Sequence, residues 1–107
     1  MESEMKSMMD ELGFGRYTPV EKDILAYLAS KSIQNKDIWG TPVSPKEFFE
    51  KLKQYEETQV HIALMHLSDC GIIKRDSGYE YIPALGVRLI CQEYLRRHPE
   101  IKDVNIT

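Results

Sequence analysis

Residues 58–75 read TQVHIALMHLSDCGIIKR, and the reading of this stretch decides the fold. Projected at about 100° per residue, Val60, Ala63, Leu64 and Leu67 share one stripe, while Ile62, Met65, His66 and Asp69 point the other way. A helix of this kind needs a core beneath it. Gly71 supplies the left-handed turn that ends the helix, and Ile72-Ile73-Lys74-Arg75 begins a strand. Asp76-Ser77-Gly78 then reads as a turn, and Tyr79-Glu80-Tyr81-Ile82 returns as the second strand of a hairpin.

Upstream, two further helices begin with the same grammar. Thr18-Pro19-Val20-Glu21 and Ser44-Pro45-Lys46-Glu47 each place a hydroxyl at the N-cap, proline at the first helical position and glutamate at the third. The first predicts a helix to about Ser30, with Tyr17, Val20, Ile24, Tyr27 and Leu28 on its inner stripe. The second predicts a helix to about Tyr55, with Phe48 and Leu52 inward and Phe49 on the flank. Glu56-Glu57-Thr58 makes the turn into the central helix, a length that suits a helix-turn-helix corner. Between the two capped helices, residues 31–43 form a long polar connection in which Thr41 to Val43 is a candidate short strand beside the hairpin. Trp39 within it either plugs the core edge or acts as a contact residue.

The ends of the chain carry weaker patterns. Met5, Met8 or Met9, and Leu12 recur at helical spacing, so residues 1–16 read as a short helix that is either a frayed terminus or an arm on a partner subunit. Pro83 opens the last helix, residues 83–98, which runs to Arg97 and is stopped by Pro99; residues 99–107 read as a polar tail. Val87, Cys91, Tyr94 and Leu95 cluster on one side of that helix and Leu85 and Leu89 nearly opposite. Two apolar faces need two partners. One is the domain itself and the other a second copy of the chain, with Val87, Cys91, Tyr94 and Leu95 as the expected dimer interface.

The chain has 107 residues, enough for one domain with one core. Its 14 basic and 17 acidic residues give a formal charge of −3, so bulk attraction for a polyanion is absent and nucleic-acid binding would need a local patch. Residues 1–50 carry six basic and nine acidic groups and residues 51–107 eight of each, which makes the second half the better polyanion face. Cys70 and Cys91 lie at no metal or redox spacing and fit buried free thiols of a reducing cytosol, with a disulfide between them left open. The acidic, methionine-rich N-terminus is neither a signal peptide nor a membrane anchor, so the expectation is a soluble cytoplasmic protein without membrane contact.

The run of Val60, Leu64, Leu67, Gly71, Ile73 and Arg75, continued by Tyr81-Ile82 and Gly86, resembles the recognition helix and wing of winged-helix regulators of the MarR/TrmB-like kind over roughly residues 17–97. The resemblance implies an α+β, mainly helical winged helix-turn-helix over residues 17–98 with a long C-terminal dimerisation helix. It implies double-stranded DNA as partner and a homodimeric transcription regulator. It nominates Gln59, His61, Ile62, Met65 and His66 on the helix and Lys74, Arg75 and Tyr79 on the wing as DNA contacts.

One departure stands out. Positions 62, 65 and 66, where such regulators commonly carry arginine or lysine, hold Ile, Met and His. The same Ile62 and Met65, flanked by His61 and His66, form a small apolar patch that suits a protein-interaction adaptor. His66, Asp69 and Cys70 fall within one helical turn and could approach a metal or make a reactive thiol, although the spacing is common by chance. Arg96-Arg97-His98 complements a helix C-terminus. With no phosphate loop, nucleophile elbow or paired-carboxylate motif, the expectation is no enzyme, no cofactor and no metal.

Overall fold

Three capped helix starts set the architecture, which a computed structural model describes for residues 1–106. The Thr18 hydroxyl accepts from the Glu21 N–H, and Glu21 accepts from the Thr18 N–H at 2.9 Å, so a reciprocal capping box opens α2 (Pro19–Gln34). The Ser44 hydroxyl accepts from the Glu47 N–H at 3.1 Å to open α3 (Pro45–Lys51). At α4 (Glu57–Asp69) the arrangement is one-sided: the Glu56 N–H donates to the Gln59 side chain at 3.0 Å. Before these comes α1 (Glu2–Glu11), and after them the antiparallel strands β1 (Ile73–Arg75) and β2 (Tyr81–Pro83) and the helix α5 (Leu85–Arg97). The fold is α+β and mainly helical, five helices with one two-stranded sheet among the described residues.

Helix α2 is the spine. It packs against α1, α4 and α5, and Ile24, Leu25, Leu28 and Ala29 are fully buried along it. From α4, Val60, Leu64 and Leu67 are fully buried and Ala63 nearly so, the stripe that the periodicity predicts. Gly71, at φ +75°, then turns the chain into β1. Ile72 and Gly86 meet next to the sheet: a Cβ on Gly86 would lie 2.3 Å from Ile72 Cγ2, so the first turn of α5 approaches the strand as only glycine allows.

Several details depart from the pattern reading. Helix α3 ends at Lys51 rather than about Tyr55, because the chain turns at Leu52 and the Tyr55 hydroxyl donates to Asp23 of α2 at 2.6 Å. The hairpin turn spans residues 76–80, so the second strand begins at Tyr81 rather than Tyr79, with Ile73 facing Pro83, Lys74 facing Ile82 and Arg75 facing Tyr81. Pro83 therefore closes the sheet instead of opening the helix, a place where a missing N–H is tolerated, and Ala84 is the N-cap of α5. Of the expected third strand one bridge exists: Val43 and Tyr81 exchange N–H···O bonds of 2.8 Å in both directions.

The termini are integrated into this one subunit. Met5, Met8 and Met9 are fully buried, and α1 lies across α2 and α5, so residues 1–16 are neither frayed nor an arm on a second copy. Flexible thioether side chains suit such an irregular seam. The polar tail is anchored as well: the Asn105 N–H donates to the Lys36 carbonyl at 2.8 Å, the Ile38 N–H donates to the Asn105 carbonyl at 3.2 Å, and Ile101 and Val104 rest on the core. In α5, Val87, Cys91 and Tyr94 are buried inside their own subunit and Leu95 is half-buried against the same core. The expected dimer interface is thus the inner face, because α5 must cover α2, and Leu85 and Leu89 are the residues left outside.

Burial of α1 makes its methionines structural. Met8→Ala is expected to cost about 2–5 kcal/mol in urea unfolding, the range for removing a large buried side chain; a cost below about 0.5 kcal/mol, typical of surface changes, would count against a docked α1.

Candidate functional site

The outward side of α4 and the adjoining hairpin form the face most open to a partner. Ile62 is 61% exposed and Met65 49%, and His61 is exposed with no hydrogen bond or ion pair among the described residues. Ile62 and Met65, three residues apart on α4, make a small exposed apolar patch. On β1, Lys74 and Arg75 are both exposed, and the Arg75 guanidinium lies 4.9 Å from the centre of the Tyr79 ring. Tyr79, 68% exposed, sits at φ +63°, a left-handed conformation unusual for a side chain of its size. Asp76 holds it there: its Oδ1 accepts from the Gly78 and Glu80 N–H groups at 3.0 and 2.9 Å, and its carbonyl accepts from the Tyr79 N–H at 3.1 Å.

The other two nominated residues of α4 are engaged internally. Gln59 gives its side-chain carbonyl to the Glu56 N–H, so the two-point pairing of an amide with adenine would have to break a helix cap. His66 Nδ1 is hydrogen-bonded to Glu21 of α2. Glu21 is only 4% exposed. One of its oxygens accepts from both the N–H and the hydroxyl of Thr18 at 2.9 Å, and the other meets His66. Burial alone pushes this carboxyl upward, but the bonds from His66 and Thr18 outweigh burial and hold its pKa below the ordinary value. An ionised carboxylate only accepts, so Nδ1 of His66 carries the hydrogen and Nε2, in the neutral ring, is left as an acceptor. That atom lies 3.5 Å from Cys70 Sγ.

Beside this clamp a groove of about 580 Å³ runs between the start of α2 and α4, with Val20, Tyr55, Ile62, Ala63 and His66 in its walls. Neither the groove nor the clamp is visible in the sequence. The Thr18–Glu21 spacing announces a cap, but not that the same carboxylate reaches α4.

Ion pairs divide the positive charge into two populations. Lys6, Lys22, Lys31, Arg96 and Arg97 pair with Asp23, Asp10, Glu47, Glu93 and Glu11 on the α1, α2, α3 and α5 side of the molecule. The Arg96-Arg97-His98 cluster is therefore occupied, His98 by Glu4 and Glu100, which raise its pKa. Lys46, Lys51, Lys53, Lys74 and Arg75 form no salt bridge among the described residues, and neither do Arg16, Lys36, Arg88 and Lys102. Residues 44–82 hold those five bases against seven acids (Glu47, Glu50, Glu56, Glu57, Asp69, Asp76 and Glu80), a local balance of −2.

Trp39, 36% exposed, lies under the guanidinium of Arg88 at 3.6 Å, and Arg88 also donates to the Pro83 carbonyl at 3.2 Å. Among the described residues no group of three metal-ligating side chains converges, and no helix is long and apolar enough to cross a membrane. Comparison with protein-family models, with curated proteins and with solved structures finds no match to this chain.

Glu21 gives the site a pH signature. A carboxyl held low in the folded state contributes stability that is complete above its unfolded pKa and is lost as the pH falls through the folded value. Glu21→Gln is expected to lower stability at pH 7 by about 1–3 kcal/mol, the scale of a buried charge-assisted hydrogen bond. The gap between wild type and variant should close in urea titrations taken through and below about pH 4, near the ordinary carboxylate range. A gap that stays constant with pH would show that Glu21 is not ionised in the clamp.

Proposed function

We propose that the chain is a winged-helix protein that reads double-stranded DNA as a homodimer and regulates transcription by occupancy, with α4 as the recognition helix and the β1–β2 hairpin as the wing. One observation carries this reading. Helix α4, which follows α3 across a short corner, keeps Ile62 and Met65 out of the core, and the hairpin that follows it carries two cations, Lys74 and Arg75, with no salt bridge among the described residues. In such an arrangement the helix enters the major groove and the wing meets the backbone.

The chemistry of the face dictates how such a reader would work. Ile62 and Met65 suit thymine methyl groups, and His61 can pair with a base edge. Phosphate neutralisation falls to Lys74 and Arg75, with Lys46, Lys51 and Lys53 at the α3 side, against an acidic background. Each subunit alone would bind weakly, so the reading requires two. The face available for pairing is the outward side of α5, Leu85 at 67% and Leu89 at 43% exposure. A protein of this kind works in the cytoplasm, where Cys70 and Cys91 stay as thiols.

A second reading, an adaptor that binds another protein through Ile62 and Met65, draws on the same exposure and on the apolar groove beside Ile62. Mobility shifts against genomic fragments at two salt concentrations separate the two. The DNA reader gives titratable binding, and Lys74→Ala with Arg75→Ala makes the slope of log affinity against log salt shallower by about one for each cation removed. Silence at low salt would discard the DNA reader and leave the adaptor.

The dimer has its own check. Leu89→Glu is expected to convert dimers to monomers in sedimentation without loss of helical circular dichroism; wild-type protein that sediments as a monomer at every concentration would remove the homodimer.

A further inference from the structure

We infer that Cys70 is a covalent modification site for α,β-unsaturated carbonyl compounds that carry an apolar tail. The inference holds whether or not the chain reads DNA. Three side chains from two helices stand in series: Glu21, buried, holds Nδ1 of His66, and Nε2 of His66 faces Cys70 Sγ at 3.5 Å. This is a nucleophile, a base and a group that orients the base, within contact of one another. Cys70 is exposed, so a reagent can reach it.

The position of Cys70 makes His66 decisive. Cys70 is the C-cap of α4, the negative end of a 13-residue helix, and Asp69 precedes it. Neither feature brings positive charge to the sulfur. The elements packed around the pair add Tyr17, whose ring centre is 6.1 Å from the His66 ring and whose hydroxyl pKa is raised, chiefly by burial and then by Cys70 and Glu21, with Arg16 opposing. The one route by which the thiol gains reactivity is transfer of its proton to His66 Nε2, with the resulting imidazolium stabilised by Glu21.

Two observations favour addition to a carbon–carbon double bond over oxidation. Cys91, the only other thiol, is fully buried, has its pKa pushed up to about 12 by that burial, and lies 3.6 Å from the Ala29 carbonyl. An oxidised Cys70 would find no resolving partner in its own chain, whereas an addition needs none. His66 is also a wall of the groove whose lining includes Val20, Tyr55, Ile62 and Ala63, a seat for a hydrocarbon tail. The step balances without a co-reactant. Sulfur bonds to the β-carbon as the carbon–carbon π pair moves onto the carbonyl oxygen as an enolate, and the proton that Nε2 took from the thiol goes to the α-carbon, leaving a thioether and a neutral His66.

The test uses the full chain with alkenals of increasing chain length and with iodoacetamide, followed by intact mass and peptide mapping. Wild type should gain one adduct, on Cys70 and not Cys91, faster with longer tails; Cys70→Ser should gain none. In His66→Asn, an exposed substitution checked by circular dichroism, alkenal addition should fall by about 100-fold or more, the lower range for lost proton transfer. Iodoacetamide, whose leaving iodide needs no proton, should slow less. Glu21→Gln should show the same pattern in weaker form and serves as the second variant. Ile62→Asp should erase the chain-length dependence of alkenal addition. Equal slowing of both reagents in folded His66→Asn, an unchanged alkenal rate, or adducts on Cys91 at the rate of Cys70 would each overturn the assignment.

Discussion

A buried carboxylate must be given donors or it will not stay charged, and in this protein that requirement falls on Glu21. Its two oxygens are satisfied by Thr18 on one side and His66 on the other. The first contact fixes where α2 begins, and the second fixes how α4 lies against it. Desolvation opposes the arrangement, and the depressed pKa says that the donors prevail. Two further clamps repeat the device along α2: Asp23 accepts from the Tyr55 hydroxyl of the corner, and Tyr27 and Lys31 both reach Glu47 of α3. Their partners report the contacts, since the Tyr55 hydroxyl is pushed up to about 12 by that bond and by burial, and Glu47 is held low because Lys31 and Tyr27 outweigh its desolvation. Apolar packing brings α3 and α4 onto α2; these polar contacts set their registration.

Helix α1 is held to α2 by different means, although Asp23 serves both contacts. There α1 brings Met5, Met8 and Met9 into the core, and the ion pairs that accompany it, Lys6 with Asp23 and Arg97 with Glu11, are partly exposed. Exposed pairs contribute little to stability, so methionine burial holds α1 in place. The pairs matter more for what they remove from the surface. They engage Lys6, Lys22, Lys31, Arg96 and Arg97, while the lysines of α3 and the two cations of β1 form no salt bridge among the described residues.

How much of this was legible in the chain follows from what one-dimensional patterns encode. The stripe of Val60, Ala63, Leu64 and Leu67, the two hydroxyl-proline-glutamate starts and the Gly71 stop all act within one or two helical turns, and each lies where the spacing predicts. Partner choice is a different matter. Helix α5 has two apolar faces, and periodicity cannot say which one turns inward; Val87 and Cys91 do, leaving Leu85 and Leu89 outside. The methionine spacing of α1 foretold a helix without saying whether the apolar side met its own subunit or another. The projection set His66 outward and the resemblance nominated Gln59 as a contact, yet each is long enough to reach a neighbour, and each is engaged there.

That engagement changes what the α4 face can offer. Once Gln59 caps the helix and His66 is held by Glu21, the nominated contacts of α4 that remain freely presented are His61, Ile62 and Met65, one imidazole and two apolar side chains. Of these three only His61 can hydrogen-bond, and the exposed Asp69 adds a carboxylate on the same outward stripe. Strong polar readout would require breaking the clamp, and breaking it would leave the Glu21 carboxylate buried without its imidazole partner. The face is therefore rigid where it is polar and accommodating where it is apolar, since methionine can repack around whatever it meets. Its chemistry depends less on the residues that point outward than on the buried carboxylate that decides which of them are free to do so.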